Sequence, residues 1–389
     1  MVDVPDEGLR PLVEGPDAEA AATRALAVCP GHELQHDPAP PPGVIDELLT
    51  HWGPVVAVWE GHAADEEVRW AGSSGGAGTA LALHALEMGL APGGVAHIAA
   101  DPDDPIRNRT VFSHSRAELL AATGSRYAPA SPCDRLNEIR DGAGPVVLIG
   151  KPCDVAGARK AAAVDADLAA NLPLLIGIFC AGTPSSDGSV ELLGAMGVGP
   201  ADAVRSLRYR GNGWPGSAVA EVDRSGAPVR MDMSYNESWG TILQRHCPWR
   251  CRVCADHTGE FADIAVGDPW YRDVGEGASG SSLIIARTEA GMAFLEQAVA
   301  AGALTAAPVD PVLLERSQPN LLRTRGSVWG RITMSRAMGV PAPRYRHMPT
   351  FPAWRDALTT KQQAQSFYGT VKRILTRKLY RRKPFNRLR

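Results

Sequence analysis

Aromatic residues are scarce in this chain, at 6% of 389 positions, and no run of roughly eighteen apolar residues occurs in it. A membrane-spanning helix is therefore not expected. The N-terminal stretch MVDVPDEGLRPLVEGPDAEA is acidic and has no apolar core, so it does not read as a signal peptide, and the default expectation is a cytoplasmic protein. Internal repeats are absent too. In excess are Gly (40) and Pro (31), nearly a fifth of the chain. That composition implies many tight turns and close backbone approaches, and it excludes a coiled-coil rod.

Acidic residues are missing from one place. Between Lys361 and Arg389 there are ten Lys and Arg and no Asp or Glu, which leaves 30 basic against 43 acidic residues in the rest. The body is acidic and disfavours a nucleic-acid role, because phosphate binding needs a basic face. In the tail, Val371, Ile374, Leu375 and Leu379 recur at helical spacing among the cations. This predicts a short amphipathic helix able to lie on anionic lipid or an acidic partner, so that peripheral contact with the inner face of a membrane is one expectation. A solubilising or disordered end is the plainer alternative.

The chain is read in four parts. Residues 1–45 form an acidic, Ala/Pro-rich segment with a helix over Asp17–Ala27 and a linker ending in the run Pro38–Pro42. Residues 46–150 hold a strand from Gly53, a helix over Thr79–Met88 and a strand from Gly93. Residues 151–330 carry most of the cysteines, and 331–389 form an extension with the basic tail. The clearest unit spans the second boundary: the apolar run Pro145–Gly150, a helical stretch from Asp154 to Leu172, and the run Leu174–Cys180. Continuous apolar runs suit parallel strands buried on both faces, so this is a βαβ unit. The predicted class is α/β, a mixed sheet with parallel βαβ units plus a basic helical tail.

Seven cysteines are present: Cys29, Cys133, Cys153, Cys180, Cys247, Cys251 and Cys254. The odd number and the close clustering argue against a disulfide framework. Cys247, Cys251 and Cys254 share one short loop, and the CxxC part lets two sulfurs face one metal centre. Cys153 follows one predicted parallel strand and Cys180 ends the next, so both fall at the carboxyl edge where such sheets bind ligands. Five thiols can converge, and a 4Fe–4S cluster needs four. Half of a structural zinc site, or inert core thiols at Cys153 and Cys180, are the alternatives.

Two Gly-rich turns stand out. WAGSSGGAGT (Trp70–Thr79) opens a helix, and its backbone amides suit a phosphate or pyrophosphate. Gly72, Ser74 and Gly76 also satisfy G-x-S-x-G, the pattern of a hydrolase elbow with Ser74 as nucleophile. RYRGNGWPG (Arg208–Gly216) is an ordinary turn, or else a site that holds phosphates with Arg and stacks a ring on Trp214.

Taken in order, GSSGGAGTALALHALEMG, ATGSRYAPAS, IGKPCDVAGARKA, LLIGIFCAGTPS, RYRGNGWPG and CRVCADHTGEFADIAVGDPW resemble the coenzyme F420 hydrogenase/dehydrogenase beta-subunit family over roughly residues 50–330. The resemblance implies a flavin/iron–sulfur reductase-like fold, FAD, and one 4Fe–4S cluster. It also implies electron transfer between an iron–sulfur partner and a second substrate, which is coenzyme F420 in the archaeal enzymes. Carried over by position, Cys153, Cys180, Cys251 and Cys254 become the cluster ligands, with Cys247 in reserve. Ser73, Ser74, Gly75 and Gly76, together with Ser125, Arg126 and Tyr127, are assigned to the flavin. Asp268 of GDPW is assigned to ordering the cluster loop or to a structural turn. No general acid identifies itself, although His114 and His257 are available.

The departures matter. Only CPGHEL at Cys29 stands where many relatives carry a Cys-rich ferredoxin-like segment, so an external carrier (ferredoxin or a redox subunit) is expected to exchange electrons. Lys151 and Asp154 replace Thr and Gln of the family pattern GTPCQ, and Arg126 replaces Lys, which leaves the small-molecule substrate open. Two other classes stay in view: a metal-containing assembly or interaction protein that keeps the fold, and a serine hydrolase using Ser74.

Overall fold

The computed structural model describes residues 1–381 apart from 5, 273, 274 and 276, so positions 382–389 of the basic tail lie outside the described residues. The strands of its two larger sheets, in chain order, begin with β1 (Ala57–Ala63), β2 (Val95–Ala100), β3 (Asn108–Ser113), β4 (Val147–Gly150) and β5 (Leu174–Ile178). Next come β6 (Ala203–Arg208), β7 (Ala218–Arg224) and β8 (Ala227–Met233). The last are β9 (Ile264–Gly267), β10 (Ser282–Ala286) and β11 (Leu304–Pro308). Eight of them make one mixed sheet in the order β11-β1-β10-β9-β5-β4-β2-β3, while β8-β7-β6 form a separate antiparallel sheet.

At the heart of the large sheet β2, β4, β5 and β9 run parallel, with Gly150 opposite Gly177 and Ile176 opposite Ile264. The flanking pairs are antiparallel. The expected βαβ unit is present as β4, helix α2 (Pro152–Ala162) and β5, with the predicted helical stretch broken into α2 and a short turn of helix at Ala166–Ala170. Helices cover both faces, as apolar strands in a parallel core require. On one side α1 (Ala77–Glu87) packs Ala80, Leu81 and Leu83 with Phe294 and Leu295 of α3 (Glu289–Ala300) against Ile176 and Ile264. On the other, Val155 and Ala158 of α2 join Leu48, Trp52 and Leu148.

The predicted division at 150/151 falls inside this one sheet, because strands from both halves interleave in it. Nor does the N-terminal segment stand apart. Residues Glu33–Gln35 pair in parallel with Arg344–Arg346, and the Asp3 carboxylate reaches Arg107 at 3.2 Å and Ser186 Oγ at 2.5 Å.

Three helices close the chain: α4 (Val328–Ala337), α5 (Thr350–Ala357) and α6 (Thr360–Thr376). The tail helix is present but starts earlier than the apolar spacing indicated, behind a capping box at Thr359, and stops before Leu379. It packs on α4, burying Ser366, Thr370 and Ile374, while Trp329, Phe351, Trp354 and Phe367 form an aromatic cluster. Leu375 stays exposed.

A buried charge network ties these outlying parts to the sheet. The Glu260 carboxylate accepts from Arg325 and from His36 at 2.8 Å. Arg287, almost fully buried, donates to the carbonyls of Pro54 and Thr258 at 2.7 and 2.9 Å. Burial alone would raise the Glu260 pKa, yet Arg325, His36 and Arg287 reverse this and hold it down to about 2. An unfolded glutamate takes its proton near 4.5. The stabilisation is therefore complete above that pH and is lost as pH falls from about 4.5 towards about 2. In urea titrations across this window, Glu260→Gln is expected to flatten the acid dependence and to cost about 3–5 kcal/mol at neutral pH.

Candidate functional site

The parallel strands β4, β5 and β9 end side by side at Gly150, Ile178 and Gly267, and a cavity of about 270 Å³ opens at that edge. Its walls come from the Ser/Gly turn at 72–79, the stretch 122–128, Lys151, the segment 178–183 and Asp268. Ser73, Ser74, Gly76, Ser125, Arg126 and Tyr127 of the predicted flavin set all line it.

The two segments assigned to a flavin from the sequence, some fifty positions apart, are joined: the Ser125 amide donates to Ser73 Oγ at 2.7 Å. Gly75 is not in the wall but shapes it. At φ 81° it lies in the left-handed region, and a Cβ there would meet Ser281 Cα at 2.7 Å. Arg126 borders the cavity with its guanidinium engaged, donating to Asn108 and to the carbonyls of Leu207, Pro105 and Arg107 at 2.6–3.1 Å.

Beyond the stretch 122–126 lies a second cavity of about 400 Å³. Arg126, Arg205, Arg208 and Arg230 line it, opposed by Asp101 and Glu221. Arg208 reaches only the carbonyls of Ala71 and Thr123, at 3.4 Å, and among the described residues neither Arg208 nor Arg230 pairs with a carboxylate.

For Arg210 and Asp268 the structure matches the structural-turn alternative rather than a phosphate site or a cluster-loop role. The Arg210 guanidinium, 2% exposed, grips Asp268 with two bonds of 2.9 and 2.7 Å. It also donates to the carbonyls of Ser73 at 2.8 Å and Pro215 at 2.7 Å. Trp214 Nε1 adds a third bond to Asp268 at 2.9 Å. Asp268 thus orders the RYRGNGWPG turn rather than the cysteine loop, and Trp214 packs on Trp270 (5.1 Å) instead of offering a free face.

Sequence reasoning missed the aromatic wall. Tyr235 stacks on Trp270 at 5.3 Å, and Trp239 lies 4.7 Å from Tyr127. Tyr235 precedes the π-helical turn Asn236–Ile242 and Trp239 lies within it, and their spacing in SYNESWG carries no motif. The hydrolase elbow is not there. The Ser/Gly turn follows the helix Glu66–Ala71, not a strand, and among the described residues no histidine bonds Ser74. His97, the histidine in the wall, is taken by Ser113 at 2.8 Å and the Ile98 carbonyl at 3.1 Å.

The cysteines gather beside this cavity. Cys153 sits in the first turn of α2 and Cys180 just past β5, on adjacent parallel strands. At Gly182 (φ 132°) a Cβ would stand 2.7 Å from Cys247 Sγ and 3.5 Å from Cys251 Cβ, so the absence of a side chain lets the 247–254 loop reach the end of β5. Cys153 lies in the field of Cys180 and Cys254, and Cys180 in that of Cys251 and Cys254. Among the thiols Cys247 is coupled to Cys251 alone.

Burial pushes Cys180 and Cys247 up to about 12 and raises Cys153 and Cys254, so these groups are neutral thiols as they stand. Cys254 Sγ donates to the Asp256 carbonyl at 3.1 Å. Among the described residues no three Cys, His, Asp or Glu side chains are closed around one point as a metal site. Of the two histidines singled out, His257 is a buried latch. Its Nδ1 lies 2.8 Å from the Cys180 carbonyl, and burial lowers its pKa to about 4, so it is neutral. His114 is exposed and absent from the cavity wall.

Two cations border the thiols. Lys151 Nζ contacts Asp154 Oδ2 at 2.5 Å and the Ala130 carbonyl at 3.2 Å, with Cys153 and Cys180 nearby and the cavity on its other side. Burial alone would weaken its charge, but Asp154 and those thiols hold its pKa above the ordinary lysine value. Arg250 faces Cys254, Cys153 and Cys251 and anchors to the Pro30 carbonyl at 3.0 Å.

With this geometry established, comparison with known proteins places the chain. The model for the N-terminal part of the coenzyme F420 hydrogenase/dehydrogenase beta subunit matches residues 58–137, and that for its C terminus matches 144–312. The chain belongs to this family. It is similar to the coenzyme F420 hydrogenase beta subunit of Methanococcus voltae (26% identity over 287 residues, covering 72% of this chain and 95% of that protein). The counterpart from Methanothermobacter thermautotrophicus is 24% identical over 292 residues, with the same coverage. A chain of the F420-reducing [NiFe] hydrogenase complex from Methanosarcina barkeri shares the fold, with a TM-score of 0.57 and 21% identity over 76% of this chain and 97% of that one. Membership implies an oxidoreductase. Among the described residues no helix is long and apolar enough to cross a membrane.

Removing one partner of the Arg210–Asp268 pair would strand a buried charge. Asp268→Ala is expected to lower stability by about 3–5 kcal/mol in urea unfolding, and Trp270 fluorescence should shift as the turn loosens.

Proposed function

We propose that this protein is a flavin- and 4Fe–4S-dependent oxidoreductase that passes electrons between an iron–sulfur redox partner and a hydride-exchanging substrate such as coenzyme F420. The observation that carries the reading is the convergence of four thiols, Cys254 buried and Cys153, Cys180 and Cys251 partly so, and an aromatic-walled cavity on one sheet edge, with Lys151 beside both. Bound there, FAD would supply hydride exchange and a cluster single-electron exchange, the combination that lets electrons enter singly and leave in pairs.

The residues suit both groups. Cys153, Cys180, Cys251 and Cys254 would hold the cluster, because thiolates are its usual ligands and these four share one another's field. The Ser73–Ser125 link and the Gly75–Gly76 turn form a cradle without side-chain bulk, and Tyr235, Trp239 and Trp270 give a planar ring an apolar face. Arg208 and Arg230, free of carboxylates in the adjoining cavity, suit the anionic part of a dinucleotide or of a phosphorylated substrate. Lys151 keeps a positive charge between thiols and cavity, where added negative charge is best stabilised.

Anaerobic purification with iron, sulfide and flavin analysis tests this directly. The expected result is about four irons and one flavin per chain. Cys153→Ala, Cys180→Ala, Cys251→Ala and Cys254→Ala should each lose most of the iron, and Cys247→Ala should keep it. A colourless protein carrying zinc or no metal would overturn the reading.

A further inference from the structure

After Glu315 the chain contains one acidic residue, Asp356, against eighteen Lys and Arg. That carboxylate is already taken by Arg355 at 2.6 Å. The matched family segments end at 312, so this charge belongs to the extension beyond them. The fold carries it back onto the cysteine loop. Arg331 of α4 donates to the Arg252 carbonyl at 2.7 Å, and Arg252 to the Gln244 carbonyl at 2.5 Å. Arg377, just past α6, reaches the Arg245 carbonyl at 3.5 Å. Arg252 and Arg377 are the cations beside Cys247.

These arginines repel one another. Burial and then Arg373, Arg252 and Arg323 lower the pKa of Arg331, while burial, Arg252 and Arg377 lower that of Arg373. Among the described residues none of Arg252, Arg331, Arg373 or Arg377 pairs with a carboxylate. Arg245 alone in the group has one, the exposed Glu191 at 2.6 Å. In a body that is otherwise acidic, uncompensated like charge at one spot is a cost that an opposing surface would relieve.

We propose that the arginines of the 245–252 loop, α4 and the end of α6 form the docking surface for an acidic electron-carrier protein, which they seat over the Cys247–Cys254 loop. This rests on the redox reading above and adds where the carrier binds. A protein fits better than a lipid surface. The buried side of α6 is spent on α4, and its exposed apolar residues are Tyr368 and Leu375, two turns apart with Lys372 between them. That falls short of the wide apolar stripe of an interfacial helix. A carrier must also come close to the thiols, and the cations stand beside them.

The test uses the full-length protein and, as probe, a fluorescently labelled acidic 2Fe–2S ferredoxin, with binding read by anisotropy. At about 20 mM salt the unaltered protein should bind it, with affinity falling steeply by about 0.5 M. Arg373→Glu/Arg377→Glu should weaken binding about tenfold or more, and Arg373→Lys/Arg377→Lys should preserve it. Equal binding by the charge-reversed protein, or none by the unaltered one, would overturn the proposal. So would selective capture of the unaltered protein by phosphatidylglycerol vesicles with no response to ferredoxin. Binding is read without electron transfer, so the two readings fail separately. A chain that binds ferredoxin yet holds neither iron nor flavin sinks the redox function alone. One that holds both and ignores ferredoxin sinks the docking surface alone.

Discussion

The ion pair between Arg210 and Asp268 sits where three stretches of chain meet. Asp268 directly follows β9 of the large sheet, Arg210 lies just past β6 of the small one, and the Ser73 carbonyl belongs to the Ser/Gly turn ahead of α1. A guanidinium so deeply buried, paired with a carboxylate that only partly reaches the cavity, is tolerated only when its remaining donors are satisfied. Here the carboxylate takes two guanidinium bonds and an indole N–H, while Ser317 and Gln318 hold the Asp268 carbonyl at 2.7 and 2.6 Å. Tyr235 and Trp270 cover the guanidinium at 4.8 and 5.4 Å. The aromatic wall and the cradle turn are therefore fixed by one electrostatic joint, and the shape of the cavity follows from it.

On the far side of the cavity the constraint is the reverse. Burial raises the pKa of Cys153, Cys180 and Cys254 and keeps these thiols protonated. Lys151 and Arg250 are the counterweights, each held at a fixed place by backbone acceptors. Fixed cations next to neutral thiols favour whatever brings negative charge to the spot, and thiolate ligation does so. The replacement of Thr by Lys151 marks a departure from the family pattern. In the structure that departure puts a charge at the cavity wall beside Cys153 and Cys180.

Much of this was legible because apolar runs report burial. PVVLIG and LLIGIFC read as parallel strands, and the strand ends then located Cys153 and Cys180. The ordered motifs picked out the segments around Ser73 and Ser125, which the structure joins at the cavity. Pairings across long separations were not legible. Arg210 looked like a phosphate ligand because nothing local announces a partner fifty-eight positions on. The sheet β6–β8 was hidden by the largely exposed pattern of β8, which leaves no apolar alternation to read. For a related reason the division at 150 does not coincide with a break in the sheet: β1 pairs with β10 and β11 from far along the chain.

What lies outside the matched segments 58–137 and 144–312 is not appended but wrapped. Strand Glu33–Gln35 pairs with Arg344–Arg346, so both extensions meet on the same side. Lys160 of α2 donates to the Glu33 carbonyl at 2.6 Å, Arg250 of the cysteine loop to Pro30, and Tyr345 to the Val253 carbonyl at 2.8 Å. His36 and Arg325 bring one extension each to Glu260. The cysteine loop is consequently held from outside by residues that are distant in sequence. Such a collar fixes the loop backbone, a condition under which a set of side chains can be preorganised. The CPGHEL segment is part of it: Pro30 meets Arg250 of the cysteine loop, and Glu33 meets Lys160 of α2 on one side and Arg346 on the other, so that loop, helix and both extensions are held at one place.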